Sequence, residues 1–133
     1  MSDEIEKIAT DIVHCSYLVH KELGPGLLEK IYEVCLVYEL KKRGYEVKRQ
    51  LRIPIFYDGI ELSESLRLDI LVDDEIIVEI KAVETMNPVW EAQIISQLRL
   101  ADKKLGLLIN FNVPLIKQGI KRCFNKKYVD GFR

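Results

Sequence analysis

The stretch Arg67-Leu68-Asp69-Ile70-Leu71-Val72-Asp73-Asp74-Glu75-Ile76-Ile77-Val78-Glu79-Ile80-Lys81 decides how this chain is read. Two aliphatic runs flank the acidic turn Asp73-Asp74-Glu75, which predicts an antiparallel hairpin. A three-residue turn pairs Val72 with Ile76. It then puts Leu68, Ile70, Val72, Ile76, Val78 and Ile80 on one face, and Arg67, Asp69, Leu71, Ile77, Glu79 and Lys81 on the other. A two-residue turn would separate Asp69 from Glu79 and mix charge into both faces, so the clean segregation favours the first register. Asp69 then stands opposite Glu79, with Cβ atoms ~4.5–5.5 Å apart, a destabilising place for two like charges. Such carboxylates share a proton, are neutralised by neighbours, or bind a cation. Hard oxygen ligands at that spacing suit Mg²⁺ or Mn²⁺. Lys81, two residues beyond Glu79, would hold an attacking water and offset charge on a phosphoryl transition state. Taken alone, however, these four charged residues read first as an exposed ladder whose pairs contribute little.

Outward from the hairpin, apolar residues Ile5, Ile8, Ile12, Cys15 and Val19 recur at helical spacing over 3–23. Gly24-Pro25-Gly26 breaks that helix, and a second runs from about Leu27 to Arg43, stopping at Gly44. It is apolar around most of its circumference, which predicts a largely buried helix. From Val47 to Tyr57 the period changes to alternation. Pro54 suggests an edge or a bulge there, and Asp58-Gly59 is a hairpin turn signal. Strands follow near 66–72 and 76–83, then a helix from about Pro88 to Lys104, a buried strand over Leu105–Phe111, and a final helix over Pro114–Phe124. A strand–helix–strand succession implies a parallel crossover, hence an α/β fold with a mixed central sheet, ordered αα-βββ-α-β-α with helices flanking the sheet.

The 133 residues predict one domain, 1–133. The longest apolar runs are a few residues, so no membrane span is expected, and the acidic Met1-Ser2-Asp3-Glu4 start is no secretory signal. Cys15, Cys35 and Cys123 are odd in number and widely spaced, which predicts reduced thiols in a cytoplasmic protein rather than a disulfide framework or metal knuckle. Net charge is −1 overall, but residues 99–133 carry nine Lys+Arg against two Asp+Glu. That basic segment reads equally as a phosphate-neutralising surface and as a solvated face with a basic tail. His14 and His20 lie six residues apart, not the i, i+4 spacing of a helical metal pair, and His14 and Cys15 diverge on a helix.

Asp69 followed across a hairpin by Glu79-Ile80-Lys81, within the order α-β-β-β-α-β, resembles the PD-(D/E)XK nuclease superfamily and its restriction-endonuclease-like core. Gly26-Leu27-Leu28-Glu29-Lys30-Ile31-Tyr32 is similar to the motif that names the GxxExxY branch. Further familial stretches are Arg67-Leu68-Asp69, Val78 to Glu84, Glu91-Ala92-Gln93 with Leu98-Arg99-Leu100, and Leu107 to Phe111. The resemblance covers roughly Ile8 to Cys123. It implies that Asp69, Glu79, the Ile80 carbonyl and Glu29 hold Mg²⁺ or Mn²⁺, that Lys81 activates water, and that Gln93 is the glutamine of the Q-x-x-x-Y element. Gln97 stands where that element has tyrosine, and Trp90 where the family often has histidine. Tyr32 either buttresses Glu29 or packs in the core; packing is the simpler reading.

The expected function is therefore metal-dependent hydrolysis of phosphodiester bonds in DNA, with the basic segment following the backbone. The alternatives are a catalytically silent nuclease-fold module that binds nucleic acid or a protein, and a nuclease needing a homodimer or a partner subunit.

Overall fold

The computed structural model describes residues 1–128; Arg133 of the basic segment lies outside them. Helix α1 (Asp3–Leu23) starts where the Ser2 side chain accepts the Ile5 N–H at 3.2 Å, with Asp3, Glu4 and Glu6 in its first turn, where the helix dipole favours acids. Helix α2 (Glu29–Lys42) follows a turn held by Tyr32, whose hydroxyl donates to the Gly24 carbonyl at 2.6 Å and accepts the Leu27 N–H at 3.0 Å. The Tyr32 ring is fully buried and stacks on Phe111 at 4.6 Å. The glycine, glutamate and tyrosine of the 26–32 motif thus have distinct physical jobs. Gly26 supplies a φ of +101°, Tyr32 staples the turn, and Glu29 is delivered at the first position of α2.

Five strands form one sheet in chain order: β1 (Val47–Tyr57), β2 (Ile60–Val72), β3 (Ile76–Lys81), β4 (Leu105–Asn110) and β5 (Ile120–Phe124). All neighbours are antiparallel except β3 and β4, whose parallel pairing is bridged by helix α3 (Val89–Ala101). Helices α1 and α2 cover one face over Ile70, Val72, Ile76, Val78, Ile80, Leu107 and Ile109; α3 covers the other over Leu71, Ile77 and Leu108. The β2–β3 register is the expected one, with Val72 opposite Ile76. Asp58 and Gly59, both at positive φ, close the two-residue hairpin between Tyr57 and Ile60, and the β1 ladder shifts between Pro54 and Phe56.

The fold class is as expected, and four details differ. The expected helix over Pro114–Phe124 is a short 3-10 turn (Ile116–Gly119) followed by β5. The spacing of Ile116, Ile120 and Cys123 fits a helix, but the outer edge of β4 needs a partner, and β5 supplies it. Residue by residue, Ile120 and Phe124 join the α1 side and Cys123 the α3 side. Second, α2 is not largely buried. Tyr32, Glu33, Leu36, Val37 and Leu40 face inward, while Leu28, Ile31, Val34 and Tyr38 face solvent. Third, β2 begins at Ile60, so the β1–β2 hairpin extends well past β3, which pairs with β2 only over Ile70–Val72.

Fourth, the alternation in β1 and β2 changes face midway. Ile70 and Val72 pack under α1 and α2, but Leu68 and Leu66 pack on the α3 side together with Leu51 and Ile53. The change falls where the ladder skips one pair, Gln50 opposite Asp69, with Gln50 held at φ +52°. It carries Arg67 and Asp69 to the α2 side, away from Glu79 and Lys81, which face α3, so the four do not share one face as the simple alternation implied.

Candidate active site

The site lies where β2 and β3 part. Their ladder closes from Val72–Ile76 to Ile70–Val78 and goes no further. Beyond it two carboxylates take the place of the missing rungs. The Ile80 N–H donates to Asp69 Oδ2 at 3.0 Å, and the Asp69 N–H donates to Glu79 Oε2 at 2.9 Å. Both side chains are buried. Burial first, and the neighbouring Asp69 charge second, push the Glu79 carboxyl up to about 7; the Asp69 N–H, Lys81 and the Gln97 amide pull the other way. At neutral pH burial thus leaves the Glu79 carboxyl partly protonated beside Asp69, which Arg67 pairs at 3.4 Å.

Each carboxylate keeps one oxygen off the backbone. That of Asp69, Oδ1, lies 3.4 Å from Arg67 Nη1. It opens on a cavity of about 500 Å³ lined by Glu29, Lys30, Glu33, Arg49 and Ile80. In an extended strand the carbonyl of a residue points to the same side as its N–H, so the Ile80 carbonyl also faces the fork. Glu79 and Lys81 point toward α3. The Lys81 ammonium sits over the Trp90 ring, 4.6 Å from its centroid. Gln97 is buried beside Glu79, and its Oε1 has no hydrogen-bond partner. Gln93, one turn earlier, is exposed at the rim of a smaller cavity that Gln97 also lines. The glutamine nearest the acids is thus Gln97.

Behind Lys81, the Asn110 side chain clips both backbone groups of Val83, at 3.0 and 3.1 Å, and the Phe111 N–H bonds the Lys81 carbonyl at 2.9 Å. These bonds fix the strand end that presents the lysine.

One functional-looking residue escaped the sequence reading. Glu33 is buried one turn after Glu29 and meets Arg49 at 2.7 Å and Gln50 at 2.9 Å. Gln50 in turn accepts from Arg67 Nη1, which also approaches Asp69. The available signal was a carboxylate on the inward stripe Tyr32-Leu36-Leu40, which cannot stay there charged without a cation. Glu29 lines the same cavity as Asp69, yet no three His, Cys, Asp or Glu side chains gather closely enough to hold an ion by themselves among the described residues.

The remaining candidates lie elsewhere. His20 Nε2 bonds the Val113 carbonyl at 2.8 Å, His14 meets Arg43, and all three cysteines are free thiols. Much of the basic segment is paired: Lys103 with Asp74, Lys121 with Glu91, Arg122 with Glu6 and Lys127 with Asp102. No helix among the described residues is long and apolar enough to cross a membrane.

A mixed sheet whose central hairpin forks around two acids, with a lysine on the next strand position but one, is the architecture of restriction-endonuclease-like proteins. A family model of the PD-(D/E)XK nuclease superfamily matches residues 6–123, and the chain belongs to that superfamily, whose members typically use divalent metals on nucleic-acid substrates. No curated protein and no solved structure matches it.

Proposed function

We propose that this chain is a divalent-metal-dependent nuclease of the GxxExxY branch, hydrolysing phosphodiester bonds in DNA. The observation that carries the reading is the Asp69–Glu79 pair, two buried carboxyl groups that backbone N–H groups hold together where β2 and β3 part. The donor set fits Mg²⁺ or Mn²⁺, because it consists of hard oxygens: Asp69 Oδ1, the second oxygen of Glu79 and the Ile80 carbonyl, with the unpartnered Gln97 Oε1 close to Glu79. An ion held there would supply positive charge to the scissile phosphate and acidify a water.

The remaining roles belong to side chains. Lys81 Nζ would leave the Trp90 ring, donate to the oxygen of the attacking water and stabilise the charge that develops on phosphate oxygens. Glu29 would orient a water from across the cavity, and Gln93 would donate to a flanking phosphate from the rim. Arg67 and Lys30, lining the cavity beside Asp69, would meet the backbone near the cut.

One observation favours the silent-module reading. Asp69 Oδ2 and Glu79 Oε2 are both engaged by backbone N–H groups, and Glu29 does not complete a three-acid group. Cleavage assays separate the two. Linear, single-stranded and branched DNA are incubated with Mg²⁺ or Mn²⁺ and wild type, Asp69→Ala, Glu79→Ala or Lys81→Ala. The nuclease reading expects each substitution to lower cleavage at least ~100-fold. Cleavage that survives all three changes rejects the site, and salt-dependent binding without cleavage on any substrate favours the silent module.

A further inference from the structure

Two surface patches on this chain lack a cover, and they complement one another. The first is the outward face of α2. Leu28 is 75% exposed and Tyr38 62%, with Ile31 and Val34 between them on successive turns. The charges beside this stripe are net basic: Lys30 and Lys41 stand there, and Lys42 neutralises Glu39. The acids of α2 are occupied elsewhere, Glu33 by Arg49 and Gln50, and Glu39 by Lys42. Glu29 lines the cavity beside Asp69.

The second patch is the tip of the β1–β2 hairpin. Past Asp69 this hairpin pairs only with itself, and from Arg52–Arg67 to Tyr57–Ile60 it reaches out by about 20 Å. Its tip exposes Tyr57 and Ile60, opposite one another in the ladder, at 75% and 65%, with Leu62 on the same face; Phe56, opposite Glu61, is exposed on the other face. Residues 53–66 contain Asp58, Glu61 and Glu64 and no Lys or Arg. An acidic, apolar arm is a poor match for a phosphate backbone and a good match for a basic, apolar helix face. It does not cover the α2 of its own chain, since both patches stand exposed.

We infer that the chain forms a two-fold dimer in which each β1–β2 arm lies across the outward face of the partner's α2. The contact then occurs twice, as two-fold symmetry requires. Two arms of three large side chains and two helix faces of four, at roughly 100 Å² of exposed surface each, come to ~1,400 Å², within the range of a standard specific interface. Side chains rather than sheet extension make the contact, because Pro54 lacks an N–H and the β1 ladder is irregular beside it. The inference needs neither metal nor DNA and stands apart from the nuclease reading.

Sedimentation of the metal-free protein over a concentration series tests it. Wild type is expected at twice the 15.5 kDa chain mass. Ile31→Glu on the helix and Ile60→Glu on the arm are each expected to give monomers. Two surface charge reversals, Lys41→Glu and Glu64→Lys, read the same contact without touching apolar packing. Each alone is expected to weaken the dimer about tenfold, and both changes in one chain to restore it. A wild type that stays monomeric up to ~0.1 mM overturns the inference. So does a dimer lost on changing α2 but indifferent to the arm, which would mean helix-to-helix pairing. Arm variants that keep the dimer yet bind DNA less tightly would make the arm a nucleic-acid element instead.

Discussion

Strand β3 has two edges, and they behave oppositely. Toward β4 its ladder is continuous from Ile76–Leu105 to Lys81–Asn110, and β4 is buried along its whole length. Toward β2 the ladder stops after three pairs, and side-chain carboxylates bond the next backbone N–H groups. The closed edge supplies stability through aliphatic packing. The open edge holds two carboxyl groups in a buried place, where burial and the neighbouring Asp69 push the Glu79 carboxyl up. The same strand therefore anchors the fold on one side and carries the polar candidate site on the other.

The contrast can be pushed from both sides. On the closed edge, Ile109→Ala removes a fully buried side chain under α1 and α2 and should cost about 2–4 kcal/mol, read as a lowered denaturation midpoint at unchanged slope. On the open edge the sign reverses. The folded Glu79 carboxyl titrates near 7 against 4.5 for the free group, so between those values the native state holds more protons than the unfolded one. Glu79 should therefore make the metal-free protein lose stability as pH rises from about 4.5 through 7, by up to roughly 3 kcal/mol. Glu79→Gln should flatten that slope and raise the midpoint at pH 8. A wild-type curve without this slope would mean that the fold does not raise the Glu79 carboxyl above its free value. A smaller, more local effect concerns Lys81. The chain has one tryptophan, Trp90, and the ammonium over its ring should shift its emission, so Lys81→Met should change wild-type fluorescence measurably while leaving the unfolded spectrum alone.

The closed edge and the hairpin register were legible because they follow from local rules. Asp73-Asp74-Glu75 sets the turn, aliphatic residues declare the buried face, and Asp58-Gly59 marks the tight hairpin. Asp69, Glu79 and Lys81 were only partly legible. The register brings Asp69 and Glu79 into hydrogen-bond contact at the fork, but Asp69 turns to the α2 side while Glu79 and Lys81 stay toward α3, so the three do not share the one face that alternation predicted. The face change at Gln50 and Asp69 was not legible. Strict alternation assumes unchanging parity, and glutamine is not a residue that announces a positive φ. Arg67 was consequently assigned to the wrong side, and the Glu33–Arg49–Gln50 link stayed hidden because its members come from α2 and β1. Strand β5 was hidden for another reason. Lys121 and Arg122 put a charge on each face, each compensated by an acid from a distant helix, which erased the period-two signal.

The most direct test of the central claim is a calorimetric titration of Mn²⁺ into the wild-type chain and into Asp69→Asn, near neutral pH and without DNA. If the fork is built to take a divalent ion, wild type binds one with release of protons from Glu79, and Asp69→Asn binds at least ~10-fold more weakly. Equal binding by both proteins, or no binding by wild type, would contradict it.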